Sequence, residues 1–428
     1  MEADRLAELF RFYEKELKEN ILRFWLPRCL DEVCGGFLNC FDNRGEKLVS
    51  YDKYTWSQGR FVWMFARLAA AKADIFTDSE RKQFLALSKN GADFLVKHCL
   101  MGENDYRCVF LMERDGTPKR VSEGMPLDMS IYADCFVISG LSMYAYASGE
   151  KEYFDFAKKI YESCLERIEE RTFRTLPYPL SPRFRAHGIP MIMSNTTREL
   201  LRAAEKFEPD ETETLKNLLG GFAEDILSHF VDGNFVLREI LTSDNCVFPQ
   251  ILGQHINPGH TIEDVWFLLD AAEILGWTDW EEKIFRVAKK ALELGWDDEF
   301  GGILHFAGVN GGKPEGDDTG VSDETMTKQL SGWADKLWWI HSEALYTTLR
   351  CALRTKDEAF SVWHDRVFDY TFRTFPNDNK ETGEWIQIRK RDGSPQDKVV
   401  ALPVKDPYHI TRNLILILEL LSAYEVRK

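Results

Sequence analysis

Two histidines sit at the heads of helical stretches in segments of similar design. In Asn257-Pro258-Gly259-His260-Thr261-Ile262-Glu263, Asn257 or Gly259 can cap a helix, and His260 and Glu263 lie three apart on its first turns. In Lys405-Asp406-Pro407-Tyr408-His409-Ile410-Thr411-Arg412 the pattern recurs, with Arg412 three residues after His409. The free N–H groups and positive dipole of a helix start favour a neutral imidazole, the form a general base needs. One such histidine reads equally well as a capping or hydrogen-bonding residue. Two, each near a proline and followed by a charged residue at the same offset, point to paired acid–base chemistry.

Two further segments carry groups that fit the same purpose. Trp56-Ser57-Gln58-Gly59-Arg60-Phe61-Val62-Trp63 puts a glycine and an arginine inside an apolar helix. Glycine there costs about 1 kcal/mol relative to alanine, so a helix or a ligand should approach closely. Arg60 must find an acceptor or reach a cavity, and an ion pair answers that need as well as a substrate contact. In Lys336-Leu337-Trp338-Trp339-Ile340-His341-Ser342-Glu343, Trp339 and Glu343 stand at i, i+4, an indole face beside a carboxylate that suits a sugar, while Trp338 reads as core. His187 is a weaker candidate, and His98, His229, His305 and His364 read as surface or packing residues. The chain carries no Gly-rich phosphate loop, zinc-type His/Cys set or Gly-x-Ser-x-Gly elbow, so no metal site is expected.

These residues need a frame. Apolar residues at helical spacing mark about twelve helices, near 2–25, 56–74, 79–98, 129–148, 150–171, 189–206, 209–230, 260–275, 278–294, 331–355, 357–374 and 406–425. Between alternate helices lie short β-prone stretches, several with an Asp-Gly or Arg-Gly turn, starting near 35, 106, 172, 233, 301 and 383. Their spacing of roughly 61–82 residues is close to one sixth of the chain, the mark of a repeated unit. The expectation is an all-α (α/α)6 barrel, an inner and an outer ring of helices with short β-hairpins in the loops on one face, formed as one domain over 1–428. The alternative, an open helical scaffold for binding, is disfavoured by the polar groups mixed with aromatics on several helices.

Composition narrows the function classes. With 428 residues, 44% hydrophobic and 29% charged, the chain can bury a large core, and a net charge of −16 argues against an extended nucleic-acid surface. No apolar run of about 18 residues suggests a membrane span. Nine irregularly spaced cysteines and an acidic, amphipathic N-terminus without the order of an export signal lead to the expectation of a reduced, cytoplasmic protein.

The motifs GGFLNCFD, WSQGRFVWMFARL, SIYADCF, NPGHTIEDVWFLL, GWDDEFGGILHF, KLWWIHSEAL, GEW and KDPYHITR stand in an order that resembles the N-acylglucosamine 2-epimerase family, which includes cellobiose and mannose 2-epimerases and aldose–ketose isomerases. The resemblance covers essentially the whole chain. It implies that His260 and His409 are the acid/base pair, that Arg60 lies against the reacting C1–C2 region, and that Glu263, Trp339, Glu343 and Arg412 complete a sugar site. It further implies a C2 epimerisation, most simply of N-acylglucosamine and N-acylmannosamine, with aldose–ketose isomerisation or a mannose, glucose or disaccharide substrate as alternatives. A non-catalytic protein-binding member of the fold is another reading, which loss of either histidine would favour; a glycosidase using Glu263 and Glu343 is a fourth. No cofactor is required by this chemistry. Some family members are activated by a nucleotide, a property on which these residues are silent, and the family's frequent dimers make a homodimer an expectation. Two departures bear on the substrate. Thr196 holds the place of the histidine that cellobiose epimerases carry before Glu199, which looks more like the N-acylglucosamine branch, and Val404 replaces a sugar-stacking tryptophan.

Overall fold

A computed structural model describes residues 2–426. Twelve helices of thirteen or more residues occur among them: α1 (Ala3–Lys15), α2 (Thr55–Ala69), α3 (Asp78–His98), α4 (Ile131–Ser148), α5 (Lys151–Glu169), α6 (Gly188–Phe207), α7 (Thr212–Asp225), α8 (Pro258–Leu275), α9 (Glu281–Gly295), α10 (Trp338–Thr355), α11 (Glu358–Thr374) and α12 (Tyr408–Val426). α1 and α7 run on through π-helical stretches, Glu16–Leu22 and Ile226–Phe230. Helix starts and stops follow local chemistry. Thr77 and Glu80 form a capping box on α3, and α4 and α8 end on the left-handed glycines Gly149 and Gly276.

The even-numbered helices form a closed inner ring in which each packs on the next and α12 returns to α2; each odd-numbered helix packs outside an even one. Burial separates the two rings. In α4, 14 of 18 residues are buried, whereas in α5 only 6 of 19 are, along one stripe. This is the (α/α)6 barrel the period implied. α2 and α4 approach so closely that a Cβ on Gly140 would lie 2.5 Å from the Gly59 carbonyl oxygen, and one on Gly59 would overlap the Phe136 carbonyl. The glycine beside Arg60 therefore serves a helix crossing.

Short β-pairs lie in the loops, as expected, and most of them join neighbouring loops rather than the two arms of one hairpin. The strand before each of four inner helices pairs with the loop after the following outer helix: Lys53–Tyr54 with Leu111–Met112, Phe184–Ala186 with Ile240–Thr242, His255–Ile256 with Ala307–Gly308, and Lys336–Leu337 with Ile388–Arg389. Pro118–Lys119 and Asp105–Cys108 close true hairpins. The tenth helix starts at Trp338, later than its periodicity suggests, because Lys336–Leu337 is held as strand.

The unit repeats in detail as well. Buried Lys53 donates to Asp31 at 2.9 Å and to the Gly35 carbonyl, and Arg114 clasps the same aspartate. Buried Lys336 does the same with Asp297 at 3.0 Å and the Gly301 carbonyl, with Arg391 on that aspartate. Each set ties a β-pair to the Gly-Gly turn that follows an outer helix. Deeper in the barrel, Arg198 bridges Glu199 and Asp270, and Arg350 joins Asp270, so the space between the inner helices is filled below their first turns. Among the described residues, no helix is long and apolar enough to cross a membrane.

Candidate active site

The first turns of all six inner helices converge on one cavity, lined by Trp56 and Ser57 of α2, Tyr132 of α4, Gly188 of α6, His260 of α8, Trp338 and Trp339 of α10, and His409 of α12. Arg60, Glu263 and Arg412, one turn further down, also face it. An apolar wall comes from Val400, Leu402 and Val404, in the loop before α12.

His260 is placed by its helix cap. The Asn257 side chain accepts the His260 main-chain N–H at 3.1 Å, and Pro258 presets the first turn. The imidazole Nδ1 lies 2.9 Å from Oε1 of Glu239, a residue of the loop after α7 that is 2% exposed. His409, second residue of α12, has Nδ1 2.7 Å from Oε1 of Glu343, and its Nε2 lies 3.2 Å from an Arg60 nitrogen. A carboxylate only accepts, so in both histidines Nδ1 carries a proton and Nε2 is the nitrogen that can gain or lose one. The longer 3.2 Å approach of Arg412 to the His409 Nδ1 is subordinate to that contact.

Trp339 fills the gap between them, its ring centroid 5.4 Å from that of His260 and 5.6 Å from that of His409. Gly259 makes this possible, since a Cβ there would lie 2.5 Å from the Trp339 ring. Arg60 is paired with Asp406, whose other oxygen accepts the Tyr408 N–H at 2.8 Å, and its guanidinium rests on Phe136 at 4.1 Å and Tyr408 at 4.9 Å. Arg60 is thus ion-paired and also faces the cavity.

Of the seven residues singled out in sequence, six line this cavity: Arg60, His260, Glu263, Trp339, His409 and Arg412. Glu343 does not, which corrects the expectation that it contacts a sugar. It is fully buried, its Oε1 taken by His409, Arg412 at 2.5 Å and Asn413 at 2.7 Å, and its Oε2 by the Trp266 indole at 2.9 Å. Its place is behind His409. The partner of His260 is likewise Glu239 and not Glu263, which pairs with Arg412. Glu239 escaped sequence reading, although a lone carboxylate in the apolar run Val236-Leu237-Arg238-Glu239-Ile240-Leu241 is a usable signal, because it must find a cation or donor when buried.

The electrostatics follow from these contacts. Burial alone would raise the Glu239 carboxyl, but His260 and His187 outweigh it and hold it well below the usual carboxylate range. Glu343 is held low in the same way, Arg412 and His409 overcoming its burial. Two sets, His187–Glu239–His260 and Glu263–Glu343–His409, bring three ligand-type atoms within 4.8 Å of one another. Hydrogen bonds between the histidine and a carboxylate occupy the nearest atoms of each set, an arrangement that holds protons.

The family model described as N-acylglucosamine 2-epimerase matches residues 35–412. The N-acylglucosamine 2-epimerase of Bos taurus is 30% identical over 414 residues, covering 94% of this chain and 89% of that protein. A cellobiose 2-epimerase of Ruminococcus albus is 24% identical, covering 92% and 94%. Among solved structures, the cellobiose 2-epimerase of Bacillus thermoamylovorans superposes with a TM-score of 0.76 at 18% identity over 97% of this chain and 100% of the other, and a D-mannose isomerase with 0.73 at 18% over 96% and 97%. At those identities the structures speak for the barrel fold.

Proposed function

The chain belongs to the N-acylglucosamine 2-epimerase family of carbohydrate epimerases, and we propose that it inverts C2 of an N-acylated aldose, interconverting N-acylglucosamine and N-acylmannosamine. The observation that carries this reading is the pair of imidazoles. Each has Nδ1 anchored on a buried carboxylate, which leaves Nε2 as its proton-transfer atom, with an Arg60 nitrogen 3.2 Å from that of His409, and the two lie on either side of the Trp339 indole. The fuller identity with the N-acylglucosamine enzymes, 30% against 24% for the cellobiose enzyme, supports the substrate class.

In this mechanism the ring-opened sugar lies along Trp339 with C2 between His260 and His409. The C1 aldehyde acidifies the C2–H. One Nε2 removes that proton, the electron pair moves into a C1–C2 enediolate, and O1 takes up the negative charge beside Arg60. The other imidazole, protonated at Nε2, returns a proton to the opposite face of C2. One proton leaves and one arrives, so no redox cofactor enters the balance. Arg60, held by Asp406 and three aromatic rings, is preorganised for the oxyanion, an interaction commonly worth several kcal/mol. Glu263 and Arg412 hold sugar hydroxyls, while Glu239 and Glu343 are positioning residues. The nine thiols, all unpaired, suit a reducing, cytoplasmic setting.

The test is proton exchange in D2O with N-acetylmannosamine. Wild type should give deuterium at C2 and the inverted aldose. His260→Asn and His409→Asn should each abolish inversion, and each should retain exchange from one epimer alone, because the remaining base still reaches one face. A ketose product with label at C1 would replace epimerisation by isomerisation, and unchanged inversion in either variant would end the two-base reading.

A further inference from the structure

The β-pair between neighbouring loops brings a third histidine behind the site. Ala186 stands opposite Ile240, so the adjoining residues His187 and Glu239 face each other, and the His187 main-chain N–H donates to the Glu239 main-chain carbonyl at 2.9 Å. The His187 side chain is fully buried at the start of α6. Its Nε2 lies 2.9 Å from Asp264 Oδ2, and its Nδ1 lies 3.8 Å from Glu239 Oε2, the oxygen that does not hold His260. Asp264 is one turn below His260 on α8. Asp264, His187, Glu239 and His260 thus form a chain that ends at the cavity.

We propose that His187 is a positioning residue for proton transfer: set between Asp264 and Glu239, it fixes the Glu239 carboxylate and, through it, the tautomer and proton affinity of His260. The inference rests on the reading of His260 as a proton-transfer residue.

Three observations support it. Asp264 Oδ1, Glu239 Oε2 and His187 Nδ1 have no hydrogen-bond partner, so the two buried carboxylates turn to the imidazole between them for compensation. Burial alone would lower the His187 pKa, yet Asp264 and Glu239 outweigh it and raise it to about 9, which favours the imidazolium at neutral pH. The other groups around the cluster leave this balance in place: Glu263 is paired with Arg412, the buried His255 and His305 beside Glu239 and His260 are lowered by burial, the Tyr132 phenol is pushed up by burial and by Glu239 and stays neutral, and Arg185, over the Phe230 ring on which His187 packs, is paired with Asp225.

The consequence is an asymmetry between the two bases. The carboxylate behind His409 is balanced by Arg412, which keeps its charge at any pH of interest, whereas the carboxylate behind His260 is balanced by a group that titrates. Without the His187 charge, the Glu239 carboxylate would hold a proton on His260 more firmly and leave less of the free base, while Asp264, already raised by its burial, would tend to take up a proton itself. Neutralising His187 should therefore move the His260 titration upward.

The experiment uses the full chain with 15N-labelled histidine, in wild type, His187→Phe and His187→Lys, with His187→Asn in reserve should the phenylalanine variant not fold. In wild type, His187 should be doubly protonated at pH 7 and lose a proton near pH 9. In His187→Phe the His260 midpoint should rise by about one pH unit or more, with kcat at pH 7 down about tenfold or more, KM within about threefold, and the kcat/KM limb displaced in the same direction; His187→Lys should return the midpoint toward wild type. A neutral His187 at pH 7, an unmoved His260 midpoint, or an activity loss that only follows thermal stability with an unshifted pH profile would overturn the inference. Absence of C2 exchange by the wild type would instead remove the proposed function, and the NMR titration would still decide the role of His187.

Discussion

Replacing Glu239 by glutamine tests the assignment that depends most on geometry and least on resemblance. The carboxylate accepts the His260 Nδ1–H at 2.9 Å while itself only 2% exposed. A hydrogen bond to a buried charged group contributes about 1.5–3 kcal/mol, a factor of roughly 10–150 in rate if it acts fully in the transition state. The Coulomb attraction for an imidazolium about 4 Å away is about 4 kcal/mol at an effective dielectric of 20, some of which the amide dipole recovers. Inversion of the tautomer sets a ceiling of about 10⁴-fold, as when an amide replaces the carboxylate behind a catalytic histidine. Glu239→Gln should therefore lower kcat for C2 inversion about 10²- to 10³-fold and leave KM within about threefold. Because a negative charge has gone, the His260 midpoint should fall, opposite in sign to the effect of removing the His187 charge. The assay is deuterium exchange at C2 of N-acetylmannosamine over a pH series, with a thermal melt of each variant. A folded Glu239→Gln with kcat within threefold of wild type would refute the claim that this carboxylate sets up His260.

Other consequences are open to direct measurement. Gly59→Ala should destabilise the fold by about 2–3 kcal/mol in urea melts, since the obstructing atoms are the main chain of α4 and no side chain can turn away. Trp339→Ala removes the face between the two imidazoles and should raise KM about tenfold or more in initial-rate measurements, on about 1.5–3 kcal/mol of buried apolar contact, with Trp339→Phe retaining most of it. The folded pKa of His187 lies above its ordinary 6.5, so the stability it confers is complete below pH 6.5 and is lost as pH rises through about 9. At 1.36 kcal/mol per pH unit the difference is about 3 kcal/mol. Lys336, lowered to about 8 chiefly by burial, pulls stability the other way over the alkaline range, so the test is the difference between wild type and His187→Phe in melts at pH 6.5 and 9.5.

The helices were legible because their signal is local. An apolar stripe at a period of 3.6 survives whatever the neighbours do, and the spacing of the β-prone loops gave the sixfold ring. What local pattern could not show was pairing between loops. Leu330 to Trp339 is apolar at helical intervals, yet Lys336–Leu337 is strand because Ile388–Arg389, about fifty residues later, lies alongside. The same cause hid half of the site. His260 and His409 were visible from their helix starts, whereas Glu239 and His187 meet only through the pairing of Phe184–Ala186 with Ile240–Thr242. Glu343 was misjudged for a different reason. Trp339 and Glu343 do share a face of α10, but the tryptophan is at the mouth and the glutamate is a turn deeper, where Trp266, Arg412 and Asn413 close over it.

That depth difference explains why a ring of helices makes a good site for this chemistry. The cavity is bounded by the first turns of six inner helices, so six sets of free N–H groups and six positive dipole ends point toward one small volume. Each is worth about 0.3–1 kcal/mol to a nearby anion, and together with Arg60 they favour the enediolate over the neutral aldose, which carries no charge for them to act on. The same field opposes an imidazolium at the helix start. A base placed there would be too weak to take a C2 proton and too reluctant to keep it for return, unless a negative charge stood behind it. Glu239 and Glu343 are those charges, and each approaches its histidine from the side away from the cavity, where it raises the proton affinity of the ring without facing the developing oxyanion. Burying a carboxylate in turn demands a cation, which Arg412 supplies on one side and His187 on the other. The layering of cavity, imidazole, carboxylate and cation is thus what two proton-transfer groups require when they are mounted on helix N-termini, and the β-pairs between loops are the means by which a barrel of hairpins delivers the outer layers.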